Sequence, residues 1–318
     1  MAHIYIFSPS SAVRDKAAFR RGVKRLTALG HAVEVDEAAL AVQMRFAGDD
    51  ATRIAAIHRA AASGADVALI SRGGYGVTRI LPGIAWRKVA KAVEGGTRFV
   101  GLSDFTAFQL GLLAGTRAIS WAGPALGEDF GVEGAPDDIM EACFDDLVQG
   151  QGEGTGWRLP LEKAAITPET IAGNGRLTMG SDQEVIRNAV LWGGNLSVLV
   201  SLLGTPYWPE VKGGVLFFED VNEHPFRIER MLTQLLHAGV LARQKAIVFA
   251  QFTGIRLAPH DKGYKLATVV AWLRGQLKVP VLTGLPFGHV PTKVLLPVGA
   301  NVDLVVEGRD ALLVWGHL

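Results

Sequence analysis

Val100-Gly101-Leu102-Ser103-Asp104-Phe105-Thr106 is an apolar run that breaks at a glycine and restarts with helix-forming residues. A strand that turns straight into a helix is the building unit of an α/β protein, and the residue on the turn sits at the strand's carboxyl end. Ser103 occupies that turn. Its hydroxyl would stand exposed beside a helix N-terminus, which is how a hydrolase presents a nucleophilic serine. The stretch is not G-x-S-x-G, because Phe105 stands where the second glycine would. The role of Ser103 therefore depends on partners elsewhere in the chain.

Outward from this turn the first half alternates strands and helices. Ile4–Phe7, Val33–Val35 and Val67–Ile70 read as buried strands. Between them, Phe19, Val23 and Leu26 mark one helix face ended by Gly30, and Ile54 and Ile57 mark another stopped by Gly64. Strands separated by helical patterns predict a mostly parallel sheet flanked by helices over residues 1–150. Residues 151–185 lapse into Gly, Pro, Thr and isolated charges and read as a linker or crossover. Over 186–318, strand-length runs begin at Ala189, Val215, Ala246, Val281, Asp303 and Ala311. One helix lies among them, with Pro225 in its first turn, Ile228, Met231, Leu232 and Leu235 on one face and Gly239 at its end. The expected class is α/β, a parallel-sheet N-terminal domain joined to a β-rich α/β C-terminal domain.

Composition removes several function classes. The 318 residues carry 32 basic and 31 acidic side chains, so no electrostatic case exists for nucleic acid or an anionic membrane surface. Cys143 is the sole cysteine, which excludes an internal disulfide and a cysteine-built metal site. Its neighbours Met140, Ala142, Phe144 and Leu147 suggest a buried helical thiol. No basic leader is present, and apolar runs fall short of the ~20 residues a membrane helix needs. A cytoplasmic protein is expected.

Three constellations carry chemistry. Ser71-Arg72-Gly73-Gly74-Tyr75-Gly76 follows a strand, and its glycines let backbone N–H groups approach a ligand closely. Beside the N–H of Asp104, this loop is a natural source of an oxyanion-hole donor. Phe217-Phe218-Glu219-Asp220-Val221-Asn222-Glu223-His224 ends a buried strand. Glu219 follows the apolar run directly and is best placed to orient a histidine; Asp220, Glu223 and His224 read as solvated loop and helix N-terminal charge. Thr283-Gly284-Leu285-Pro286-Phe287-Gly288-His289 places a histidine in a loop after a strand. Ser103, Glu219 and His289 could then act as nucleophile, orienter and base. Two other readings stand beside this one. Glu219, Asp220, Glu223 and His224 could ligate a cation, though no H-E-x-x-H is present. The glycine turn could serve a non-catalytic module that binds a small carboxylate or phosphate.

Taken together, Arg72-Gly-Gly-Tyr-Gly, Gly101-Leu-Ser-Asp-Phe-Thr, Gly193-Gly-Asn-Leu, Phe218-Glu-Asp-Val-Asn-Glu and Phe287-Gly-His resemble the LD-carboxypeptidases, serine peptidases that act on muramoyltetrapeptides. The resemblance spans nearly the whole chain. It implies a two-domain homodimer with no metal or other cofactor and a Ser103–His289–Glu219 triad. It places Gly74 and Asp104 as the oxyanion-hole donors. It also implies release of terminal D-alanine from a cytoplasmic murein tetrapeptide or muropeptide during peptidoglycan recycling. Arg72 is a candidate for binding the terminal carboxylate, by bidentate pairing. Ala125 stands where relatives often carry methionine. A sister branch, the microcin C immunity peptidases, cleaves aminoacyl-nucleotide conjugates with aromatic contacts to the base. Trp157 points toward that branch, and a structural tryptophan is the competing reading.

Overall fold

The computed structural model describes residues 1–160 and 184–318. The chain forms two compact units. The first comprises Met1–Gly152, Leu202–Pro209 and Pro291–Gly299; the second comprises Glu153–Ser201, Glu210–Val290 and Ala300–Leu318.

In the first unit β1 (His3–Phe7), β2 (Ala32–Val35), β3 (Val67–Ile70), β4 (Arg98–Gly101) and β5 (Ser120–Ala122) lie side by side in the order β5-β4-β3-β1-β2, all parallel. The helix Lys16–Ala28 starts where Asp15 accepts from the Ala18 N–H at 2.8 Å, and it buries Ala18, Phe19, Gly22 and Leu26. Asp49 caps the helix Asp50–Ala62 in the same way. Such caps satisfy N–H groups that the helix itself leaves open. The helix Thr106–Thr116 buries every residue from Thr106 to Leu113, the polar Gln109 included, so it runs through the core. Around its start Phe105 stacks on Phe108 at 4.6 Å between ring centroids, and Phe7 meets Phe105 edge-on at 6.1 Å. Full burial of each ring contributes ~2–3 kcal/mol. Phe105, where another hydrolase has glycine, thus anchors the Ser103 turn to the core.

The second unit contains β6 (Gly154–Arg158), β7 (Glu184–Asn195), β8 (Val215–Val221), β9 (Ala246–Thr253) and β10 (Val281–Thr283). Past Leu296–Val298 (β11) come β12 (Asn301–Glu307) and β13 (Asp310–Val314). The sheet order is β10-β9-β8-β7-β12-β13-β6. From β10 to β7 neighbours are parallel; from β7 to β6 they are antiparallel. The helix Pro225–His237 buries Ile228, Leu232 and Leu235, with Met231 half-buried.

Three sequence expectations need correcting. Residues 151–185, read as a linker or crossover, include the strand β6, while 161–183 lie outside the described residues. The stretch 186–318, read as one domain, sends Leu202–Pro209 and Pro291–Gly299 into the first unit. There β11 pairs antiparallel with β5 and completes a six-stranded sheet. Cys143 is half-buried rather than buried, and desolvation pushes its thiol up from the ordinary value. Among the described residues no helix is long and apolar enough to cross a membrane.

Candidate active site

Ser103 opens a short 3-10 turn, Ser103–Phe105, between β4 and the helix Thr106–Thr116. Its φ is +63°, a left-handed conformation that a non-glycine residue adopts at some cost. The neighbouring chain presses on it. A Cβ built on Gly73 would lie 2.7 Å from Ser103 Cβ and 3.0 Å from its Oγ, so only glycine fits there.

Asp104 fixes this arrangement through its carboxylate as well as through its position. Only 2% exposed, it accepts from Ser10 Oγ and from the Val77 N–H at 2.9 Å. It therefore ties the end of β1, the exit of the glycine loop and the serine turn into one piece. Burial pushes its carboxyl above the ordinary range, against the pull of those donors. On the loop itself, Ser11 Oγ accepts from the Tyr75 N–H at 3.0 Å, and Gly74 has φ +114°. Arg72 gives Nη1–H to the Ala12 carbonyl at 3.3 Å and lies 4.0 Å from Glu128. Its Nε is buried without a hydrogen-bond partner among the described residues.

Glu219 and His289, both in the second unit, are brought together. Glu219 is fully buried in β8, and its Oε2 lies 2.7 Å from His289 Nδ1. With the carboxylate accepting, Nδ1 carries the proton and Nε2 presents a lone pair. Three features hold the histidine loop to β9. The Gln251 N–H donates to the Phe287 carbonyl at 2.9 Å, the Gln251 side-chain amide donates to the Leu285 carbonyl at 3.1 Å, and Thr253 Oγ1 donates to the His289 carbonyl at 3.3 Å. Phe287 also packs edge-on against Phe217 at 5.6 Å. Gly288, at φ +133°, lets the loop close in: a Cβ there would stand 3.2 Å from Glu219 Cβ and 3.0 Å from the Gln251 carbonyl oxygen.

Two residues of this site take roles that the sequence reading did not give them. Asn195 sits opposite Glu219 in the β7–β8 register and gives its side-chain N–H to Glu219 Oε1 at 3.1 Å and to Asp220 Oδ1 at 3.0 Å. Asp220 is not solvated; it is 3% exposed and also accepts from the N–H groups of Ser197 and Val221 at 2.9 and 2.8 Å. Burial, reinforced by the neighbouring charge of Glu219 and opposed by these hydrogen bonds, pushes its carboxyl up to about 6. In β8 burial runs unbroken from Val215 to Asp220, past the point where the apolar run in the sequence ends. A shift in register between Phe218 and Asp220 lets consecutive carboxylates reach the same amide.

The remaining candidates go elsewhere. His224 caps the helix Pro225–His237 and pairs with Asp261 at 3.1 Å, while Glu223 pairs with Arg227. With Glu219 facing His289, these side chains do not converge, and among the described residues no group of three or more His, Cys, Asp or Glu could hold a metal ion. Trp157 is 8% exposed and donates its ring N–H to the Thr283 carbonyl at 3.1 Å, a structural role at the end of β10.

Residues 4–123 match the LD-carboxypeptidase N-terminal domain and residues 188–304 the LD-carboxypeptidase C-terminal domain. A Bacillus subtilis protein named "Probable murein peptide carboxypeptidase" is 28% identical over 289 residues, 91% of this chain and 84% of that one. The crystal structure of muramoyltetrapeptide carboxypeptidase from Oxalobacter formigenes superposes with a TM-score of 0.83 at 34% identity, covering 99% of this chain and 98% of the other. The microcin C7 self-immunity protein MccF, solved with aspartyl sulfamoyl adenosine, shares the fold with a TM-score of 0.80 at 21% identity, over 98% and 95% of the two chains. With both domains matched in order and a solved relative alike over its full length, the chain belongs to the LD-carboxypeptidase family of serine peptidases.

Proposed function

We propose that the protein hydrolyses the amide that joins terminal D-alanine to the L-centre of the diamino acid in murein tetrapeptides, through Ser103, His289 and Glu219. The observation that carries this reading is the buried Glu219 held 2.7 Å from His289 Nδ1, in a chain of a serine peptidase family. Ser103 Oγ attacks the scissile carbonyl carbon while His289 Nε2 takes the hydroxyl proton. The N–H groups of Gly74 and Asp104 receive the oxyanion of the tetrahedral intermediate, each contributing ~3–4 kcal/mol of barrier lowering. His289 returns the proton to the departing amine of D-alanine. The tripeptide remains as an ester on Ser103, which a water deprotonated by the same imidazole then hydrolyses. Arg72 pairs with the D-alanine carboxylate through its guanidinium, beside the glycine loop that carries Gly74. As the family resemblance implies, the protein works in the cytoplasm, as a homodimer, in peptidoglycan recycling.

The test is D-alanine release from a disaccharide-tetrapeptide. Wild type should turn over, Ser103→Ala should be inert while still folded, and Arg72→Lys should raise KM. Intact substrate after incubation with folded wild-type protein would overturn the reading. An aminoacyl-nucleotide conjugate run in parallel separates murein hydrolysis from the immunity-type activity that the MccF fold allows.

A further inference from the structure

We propose that Asp220 is a positioning residue for the proposed triad: it holds the Asn195 side-chain amide against Glu219 Oε1, and so fixes the Glu219 carboxylate that orients His289. This rests on the reading of Glu219 and His289 given above.

The geometry is a relay of four side chains, Asp220, Asn195, Glu219 and His289, braced by backbone N–H donors. Asp220 spends its two oxygens on Ser197 N–H, Val221 N–H and Asn195 Nδ2. The carbonyl end of Asn195 is held in turn, accepting from Ser197 Oγ at 2.8 Å and the Val198 N–H at 3.1 Å. The amide is thus locked at both ends, its donors aimed at two carboxylates. Glu219 then has Oε1 on Asn195 and Oε2 on His289. A carboxylate gripped on one oxygen cannot swing, so the other presents a fixed acceptor to the imidazole. Burying a second carboxylate beside the first is costly, as its raised titration reflects. An apolar residue in β8 would avoid that cost, so packing alone does not account for a carboxylate at this position. Among the charges acting on Asp220, the neighbouring one is Glu219; its other named partners are neutral donors.

The test compares wild type with Asp220→Asn in full-length protein, using tetrapeptide turnover and the low-field proton resonance of His289 Nδ1–H. Asparagine matches the shape but points an N–H₂ group where acceptors are needed. Removing an orienting carboxylate outright costs about ten-thousandfold in kcat in a serine peptidase, so loss one step removed should cost about tenfold to a hundredfold. KM should hold within about twofold on the same reasoning, and the resonance should shift or broaden. Asn195→Ser cuts the relay while leaving Asp220 its two backbone donors, and serves if D220N is too unstable to study. The double variant should lose no more activity than the worse single one. Wild-type kcat and an unmoved resonance in either single variant overturn the proposal. Inactivity of wild type on every tetrapeptide would instead count against the function, with the resonance still reporting on the relay.

Discussion

Gly73→Ala puts a methyl group where Ser103 already stands. The new carbon would lie 2.7 Å from Ser103 Cβ, 3.0 Å from Oγ and 3.4 Å from the Leu102 carbonyl oxygen. Carbon atoms rest about 3.5–4.0 Å apart, so the overlap with Cβ is about 1 Å. Rotating the serine side chain relieves the clash at Oγ but not at Cβ, which moves only with the backbone. That backbone sits at φ +63° and is pinned by buried Phe105 and by the Asp104 carboxylate. The turn or the glycine loop must therefore yield by most of that distance. A displacement of about 1 Å at reacting atoms costs on the order of a hundredfold in rate, or about 2.7 kcal/mol of barrier. Gly73 itself lacks a positive φ, so backbone strain does not confuse the result. The assay is the rate of Ser103 labelling by a fluorophosphonate, alongside D-alanine release. Gly127→Ala, whose methyl would meet only the Ser71 carbonyl oxygen at an ordinary 3.4 Å, is the control. A folded G73A protein labelled within about threefold of wild type would refute the reasoning.

Three further outcomes follow from the second unit. Gly288→Ala combines a φ of +133° with contacts at 3.0–3.2 Å to Gln251 and Glu219, and should lower stability by about 1–3 kcal/mol and kcat by tenfold or more; Gly308→Ala, with φ +58° and nothing within 4 Å, should leave kcat unchanged. Asp220 binds its proton more tightly folded, at about 6, than unfolded. Its contribution to stability is thus full below the ordinary carboxylate range and lost as pH rises through about 6. Wild type should gain about 1 kcal/mol over D220N between pH 7 and 5 in urea unfolding, and no gain would refute the burial argument. Trp157→Phe leaves the Thr283 carbonyl without its donor and should cost about 1–2 kcal/mol of stability. It should not alter the ratio of rates on tetrapeptide and aminoacyl-nucleotide, and a changed ratio would mean that Trp157 touches substrate.

The parallel sheet and its turns were legible because β1, β3 and β4 are nearly all buried and so read as continuous apolar runs. Ser103, Glu219 and His289 each follow such a run, where polar residues stand out. Other features hid for definite reasons. In β6 only Trp157 is buried, so Gly154–Arg158 carries no apolar pattern. Strand β11 holds Pro297, which argues against a strand except at an edge, and an edge is where it lies. Asp220 bears a charge, and a charge after an apolar run reads as the strand's end. Its burial depends on Asn195, which lies 25 positions earlier in the chain. Partners that distant are set by strand register, which composition and periodicity do not encode.

The strand that leaves the histidine loop to finish the first sheet has a practical consequence for anyone dissecting the gene. A fragment stopped at Gly152 would lack Leu296–Val298, and β5 would become a bare edge with backbone donors and acceptors facing water. Such a fragment should aggregate. The same fragment carrying a grafted copy of residues 291–299 should stay in solution, since Thr292 and Lys293 also bring their bonds to Asp137 and Asp129.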